Sequence, residues 1–315
     1  MNRNLSLDVL KLALSLMVVG LHGFFLLDVS PGVSDALGNT LFRVAVPTFF
    51  VINGYYFHAA QNKGPQAVRR WVWRLVQLYA VWSLVYLYFM LRDVSLSLVV
   101  WNLLRGFWHL WYLVGTLMAA GLMLVLRRWS LKWMLLLALV AYLTGWALQY
   151  TGRLNLTGTR LDAWVGHLPV YRNGVFFGFP LFALGYVCAQ ESAVQRWSPG
   201  RLVGLILLGA GALAAEFTWT RQFDLPERMP LDIALGLVPL ALGLFLLALR
   251  STARYERGQL SDVSTLIYLA HPLFLLILPR WFKEAYTELT LLAMLGSLAL
   301  APLVFAAKRR WPWVL

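Results

Sequence analysis

The sequence predicts an all-α, polytopic membrane protein with about ten spanning helices. Two observations carry that prediction. Of 315 residues, 60% are hydrophobic and only 13% are charged, so a water-soluble fold of this length has no interior large enough to hide its apolar surface. The apolar residues are also gathered into runs of spanning length, divided by short connections that carry most of the Lys and Arg.

The runs fall at about 6–27, 38–59, 72–91, 108–126, 131–149, 174–190, 202–219, 231–249, 264–281 and 287–307. The first follows a basic residue, as a signal peptide would. It is long, lacks a small-x-small cleavage site and is followed by further spans, so it reads as a retained helix. The sixth and ninth are short and carry proline, and are expected to tilt or break. The longest polar connection, Thr151 to Asn173, is expected to fold over the outer face. No linker or composition shift divides the chain, so residues 1–315 read as a single transmembrane domain. There is no convincing internal repeat. Pro47–Tyr55 and Pro180–Tyr186 look loosely alike, at different spacing.

Orientation follows from the basic residues. Arg3, Lys63, Arg69, Arg70, Arg74, Arg127, Arg128, Lys132, Arg196, Arg201, Arg250, Arg254, Arg257 and Lys308–Arg310 fall on one side. They outnumber those on the other side, where Asp28, Asp35, Asp93, Asp162, Asp224, Glu227, Glu284 and Glu288 collect. The positive-inside rule then places both termini in the cytoplasm. The net charge of +13 is used up in that pattern, which excludes a nucleic-acid partner and leaves membrane lipid as the default one. The single Cys188 excludes an internal disulfide, and no cysteine–histidine cluster suggests a metal.

Ionisable groups in lipid are costly, so each needs a reason. The first run carries Asp8, Lys11 and His22. At helical spacing, Lys11 and His22 lie about 20° apart around the axis and about 16 Å apart along it. Asp8 and Ser15 fall within roughly 60° of that stripe. Such a stripe belongs against a protein interior or a wet passage. Asp8 and Lys11, at i and i+3 near the cytoplasmic end, read equally as a pair that simply bridges or snorkels and as part of a functional stripe. His22 reads either as a hydrogen-bonded core histidine or as an acid–base group.

The second run adds Arg43 and Asn53 within FRVAVPTFFVINGYYF. Arg43 falls at roughly the depth of His22, within about two turns, where it could steady an oxyanion or simply snorkel outward. Asn53-Gly54 permits close helix approach. His109, Trp111 and Tyr112 open the fourth run in HLWYLVG, as an interfacial aromatic belt or a substrate wall. His271 precedes Pro272 in IYLAHPLF and fills a kink or meets a ligand. Glu216 and Asp232 lie near outer helix ends, as solvated ends or sugar ligands, whereas His58 and His167 look peripheral. Arg69, Arg70 and Arg74 form a basic patch, suited to anionic lipid or to a phosphate clamp.

These segments resemble the acyltransferase 3 family, membrane enzymes that acylate extracytoplasmic sugars. The resemblance rests on SLDVLKLALSLMVVGLH, FRVAVPTFFVINGYYF, HLWYLVGTL and IYLAHPLF, in that order along the chain. Lys11 and His22 match the family's basic-residue, ten-residue gap, histidine motif. Lysine stands where arginine is common, which keeps the charge and loses the bidentate fork. Asn53 stands where serine is common. Many relatives carry a further soluble domain on the C-terminal side, so a separate periplasmic acyltransferase or a polysaccharide synthase subunit is the expected partner of a chain ending at Leu315.

The resemblance implies a bacterial inner-membrane O-acyltransferase. Its donor would be cytoplasmic acetyl-CoA or another acyl-CoA, and its acceptor a hydroxyl of an extracytoplasmic or lipid-linked polysaccharide, exopolysaccharide among them. It assigns His22 as general base or transient nucleophile and Arg43 as oxyanion support. Lys11, Arg69, Arg70 and Arg74 would hold the coenzyme. Asp8, Asn53, His109, Trp111, Tyr112, Glu216 and His271 would line the substrate. Two other readings stay open: a transporter of lipid-linked sugar using the same polar stripe, and a non-catalytic synthase subunit.

Overall fold

A computed structural model describes residues 3–92, 95–191, 194, 196–223, 230–256, 259–311 and 314–315. Asp93, Asp224, Glu227, Arg228 and Arg257 lie outside the described residues. A two-residue strand β1 (Arg3–Asn4) leads into helices α1 (Leu5–His22), α2 (Pro31–Asn39), α3 (Ala45–Asn62), α4 (Pro65–Val85), α5 (Leu87–Leu91) and α6 (Leu96–Arg105). Then come α7 (Trp111–Leu126), α8 (Leu131–Arg153), α9 (Arg160–Val165), α10 (Leu168–Tyr171), α11 (Phe179–Gln190), α12 (Pro199–Thr220) and α13 (Leu237–Leu249). Strand β2 (Arg254–Tyr255) precedes α14 (Gln259–Ile277), α15 (Tyr286–Ala299) and α16 (Ala301–Arg310).

Among the described residues, seven helical stretches are long and apolar enough to cross a membrane: Leu5–His22, Pro31–Asn62, Trp108–Leu126, Leu131–Arg153, Pro199–Thr220, Gln259–Arg280 and Tyr286–Arg310. Leu96–Arg105, Gly174–Gln190 and Leu237–Leu249 are shorter apolar helices. Of the about ten expected runs, seven correspond to stretches of full spanning length, and the others take other forms. The apolar run at 72–91 belongs to α4 and α5, which break at Tyr86; α4 begins at Pro65 and so takes in Arg69, Arg70 and Arg74. The run at 231–249 becomes helical only at Leu237. The last run divides at Leu300, just ahead of Pro302, as a proline requires. Proline does not break α14, where Pro272 sits inside a continuous helix.

The chain packs as two compact units, each assembled from separated stretches. The first comprises Met1–Val46, Arg74–Leu110 and Ala248–Leu315. Its centre is the packing of α1 on α14, with α15 alongside. Small residues permit the approach. The Ser15 hydroxyl bonds the Ser264 hydroxyl at 2.7 Å, and Ser264 Oγ donates to the Lys11 carbonyl at 2.9 Å. A Cβ on Gly23 would meet Thr290 Oγ1 at 2.2 Å, so only glycine lets the end of α1 lie against α15. Asn4 fixes the other end of α1. Its side-chain oxygen caps the Leu7 N–H at 3.0 Å, and its amide donates to the carbonyls of Ala248, Leu249 and Ser251. β1 pairs antiparallel with β2, setting Arg3 opposite Tyr255.

The second unit comprises Pro47–Trp73 and Trp111–Leu247. Here the two loosely similar segments pack on each other. A Cβ on Gly54 would meet the Phe182 carbonyl at 1.9 Å, and one on Gly185 the Val51 carbonyl at 1.8 Å. Each glycine thus admits the other helix's backbone. α11 is preceded by a π-helical turn, Gly174–Gly178, capped by Asn173 through the Val175 and Phe176 N–H groups. The Thr151–Asn173 connection is ordered around α9, which opens with a capping box of Thr159 and Asp162.

Candidate functional site

Three polar clusters hold the residues singled out by the sequence. The first lies at the start of α1. Asp8 is only 2% exposed, yet it accepts from Arg3 Nε at 3.0 Å, Lys11 Nζ at 3.0 Å and the Tyr255 hydroxyl at 2.8 Å. A buried carboxylate needs such donors. Arg74, exposed on α4, lies near enough to repel Lys11. Two cations, Arg3 and Lys11, therefore share one acid, with Arg74 near Lys11. Lys11 pairs with Asp8, as their i and i+3 spacing allows. Tyr255 was not legible, because only the β1–β2 pairing brings it to Asp8. Outside the membrane-spanning segments, burial raises the Tyr255 phenol above its ordinary pKa, and Asp8 as acceptor reinforces the shift.

The second cluster stands at the other end of α1. His22 is the last residue of that helix, and its Nδ1 lies 2.9 Å from Nε2 of His271. The rings are within 9° of parallel. His271 Nδ1 is 2.9 Å from the Ile267 carbonyl, one turn back on α14. A carbonyl can only accept, so His271 carries its proton on Nδ1. In the neutral ring Nε2 then holds the lone pair, and His22 Nδ1 must be the donor between the two rings. His22 in turn has its lone pair on Nε2. The orienting partner that the sequence could not name is His271, supplied by α14.

The Gly106–Leu110 turn completes this cluster. The Trp108 indole lies 5.4 Å from the His22 ring, tilted by 52°. His109 is fully buried, 5.5 Å from His271 and edge-on to Tyr86 at 5.2 Å. Its carbonyl accepts from the Tyr268 hydroxyl at 2.8 Å. Neither His109 ring nitrogen has a hydrogen-bond partner among the described residues. The Leu269 carbonyl beside it already accepts from Tyr86 at 2.6 Å. Arg43 falls within the spanning-length stretch Pro31–Asn62, on its 3-10 segment Leu41–Val44, which packs on α1. The neighbouring Phe42 covers Gly20, where a Cβ would come within 2.8 Å of its ring.

The third set belongs to the second unit. Asn53 donates to the Phe49 carbonyl at 3.0 Å and to the Tyr112 hydroxyl. Trp111 stacks on Phe177 at 5.9 Å, and the Arg172 guanidinium lies 5.0 Å over its ring. Arg172 also reaches Asp232 at 3.4 Å. Glu216 is engaged on both oxygens: Trp146 Nε1 donates at 2.6 Å, the Tyr150 hydroxyl at 2.8 Å and the Leu235 N–H at 2.8 Å. Gln149 bonds both the N–H and the carbonyl of Ile233, and Tyr142 donates to the Ala234 carbonyl. These side chains hold the non-helical backbone ahead of α13, which explains how an apolar run is irregular at its start. Arg69 and Arg70 are exposed on the first turns of α4.

With this geometry in view, the relatives can be placed. A family model described as an acyltransferase domain matches residues 4–307. The chain belongs to the acyltransferase 3 family. Membership agrees with the helical architecture, and the chain is a multi-pass membrane protein of that family. Among curated proteins it is similar to an amino-acid racemase of Enterococcus faecalis, 25% identical over 96% of this chain and 46% of that protein. It is also similar to a serine/alanine racemase of Enterococcus gallinarum, 29% identical over 86% of this chain and 40% of that protein. The chain thus spans less than half the length of either relative. No solved structure is a significant match.

Proposed function

We propose that this family member is an O-acyltransferase of the bacterial inner membrane. It moves an acyl group, acetyl first among candidates, from cytoplasmic acyl-CoA to a hydroxyl of an extracytoplasmic or lipid-linked sugar. The observation that carries the reading is the directed chain from the Ile267 carbonyl through His271 to His22, which leaves the basic lone pair on His22 Nε2. A base oriented by a third group is the arrangement that acyl transfer to a hydroxyl requires.

The step balances without another reactant. The acceptor hydroxyl loses its proton to His22 Nε2 as its oxygen bonds the thioester carbon. Collapse of the tetrahedral centre breaks the C–S bond, and the proton passes from Nε2 to the departing sulfur. An ester and CoA thiol result. Arg43, on the turn against α1, is the candidate for the oxyanion. Lys11 with Arg3 and Arg74 is the phosphate-facing cluster for the coenzyme.

Membranes containing the protein, given radiolabelled acetyl-CoA, should transfer label to glycan, and membranes with His22→Ala should not. Normal labelling by that variant would remove the base. Omitting acceptor separates the two roles of Nε2, because a nucleophile would leave labelled protein and a base would not.

A second reading is favoured by the names of the relatives. On it, the chain is a membrane module that carries an amino acid for an enzyme acting on amino acids. Uptake of labelled L-serine into vesicles, with no label passing from acetyl-CoA, would select that reading.

A further inference from the structure

Trp108 stands in a backbone conformation that its side chain disfavours. Its φ is +44°, in the left-handed region, directly after Phe107 and the positive-φ Gly106 at +90°. A bulky residue there is an outlier that the surroundings must enforce. They do so from both sides. The Leu110 N–H closes the turn on the Phe107 carbonyl at 2.9 Å, and the next carbonyl, that of His109, is held by the Tyr268 hydroxyl at 2.8 Å. The indole is pressed into the cluster of Val19, Ile267, Leu275, Leu289 and Ala293, and it meets the His22 ring at 5.4 Å.

Strain of this kind persists where a particular side-chain placement is needed. Here the placement is beside the imidazole whose other edge is taken by His271. An acyl carbon within reach of Nε2 must bring its tail past the remaining flanks of that ring, and the indole fills one of them. We propose that Trp108 is a positioning and acyl-size-selecting residue: the strained Gly106–Leu110 turn holds its indole against His22 so that a short acyl chain reaches Nε2 and a long one does not. The size-selecting half rests on the acyltransferase reading; the positioning half does not.

The test uses the full chain in detergent, with Trp108→Ala and Trp108→Phe. All five histidines can be followed by diethyl pyrocarbonate modification and peptide mass mapping. Exposed His167 reports reagent activity, and fully buried His109 reports loosening of the fold. The expected result is several-fold faster modification of His22 in Trp108→Ala, a smaller gain in Trp108→Phe, and His109 still protected in both. An unchanged His22 rate overturns the positioning role. So does a joint rise at His22 and His109, which would make Trp108 packing only. In parallel, membranes are given acetyl-, butanoyl- and octanoyl-CoA. Trp108→Ala should raise the octanoyl-to-acetyl preference by about tenfold or more, as removal of a wall in an apolar pocket does. An unchanged preference in an active enzyme overturns size selection. If wild-type membranes consume none of the three thioesters, the acyltransferase reading and size selection fall together, and the modification arm still judges the positioning role.

Discussion

The polar cluster around Glu216 and the one around His22 are built from similar materials, half-buried among apolar helices, yet they are wired differently. Glu216 is a sink. Donors from Trp146, Tyr150 and the Leu235 backbone converge on one carboxylate. The His22 cluster is a chain with a direction, from the Ile267 carbonyl through two imidazoles to a basic nitrogen. Convergence serves the fold, because it pins non-helical backbone that would otherwise be costly inside an apolar setting. Direction suits the proposed chemistry, because it fixes which nitrogen would take a proton. A buried polar residue alone therefore says little about role. What its hydrogen bonds point toward says more.

The sharpest break between the clusters is expected at His22 itself. His22→Ala should lower transfer by roughly the 10²–10⁴-fold that general bases contribute, with the thermal midpoint of the purified protein little changed. If transfer survives, direction in that cluster has no catalytic meaning. Next is His271. His271→Phe keeps a ring and removes the acceptor for His22 Nδ1, releasing His22 to adopt the other tautomer. A loss of about 10²-fold or more in turnover, with acyl-CoA KM held, is expected. A purely kink-filling His271 would instead show its effect in stability.

Much of the first unit was legible. Asp8, Lys11, His22, His109 and His271, singled out by spacing and by the cost of ionisable groups in lipid, fall within its two polar clusters, because those are local properties. The partnership of His22 with His271 was not legible, since it joins residues far apart in sequence through the packing of α1 on α14. Tyr255 was invisible for the same reason, being delivered by a two-residue strand pair. Glu216 was read as a solvated end or a sugar ligand, but the irregular backbone it serves lies under an apolar run that looks helical. The strain at Trp108 was not legible, because a strained φ leaves no mark in composition.

Glu216→Gln should therefore do the reverse of His22→Ala. Charge-assisted bonds from three donors are weakened, so the folded state should lose about 1.5–3 kcal/mol while turnover per folded molecule stays within about twofold. Chemical unfolding beside activity measured on the same sample would show it. A large activity loss at unchanged stability would move Glu216 into the substrate site. Asp8→Asn sits between these cases. Its carboxylate gathers Arg3, Lys11 and Tyr255. The amide should raise the acyl-CoA KM by about tenfold with kcat nearly intact, as loss of uniform binding does. Equal losses in kcat and kcat/KM would instead place Asp8 in the transition state.

The smallest effect belongs to Asp28, an exposed residue in the connection after α1. The Thr287 hydroxyl and N–H at the start of α15 both donate to its Oδ1, and the hydroxyl bond is the largest cause of a carboxyl pKa below the usual value. A carboxylate at a helix start is also favoured by the helix dipole. With the folded pKa depressed, the contact contributes stability above the ordinary carboxylate pKa, and that contribution is lost as pH falls through the lower folded value. Asp28→Asn should then flatten the acid side of the thermal-stability profile slightly while leaving its neutral-pH turnover unchanged. Glu288 is the other acid beside Asp28, so the same scan on Glu288→Gln tells whether the loss belongs to Asp28 alone. An acid limb that persists unchanged in Asp28→Asn and vanishes in Glu288→Gln would transfer the effect to the neighbour. The tie between the end of the His22 helix and α15 would then rest on Gly23 packing against Thr290, with no electrostatic part.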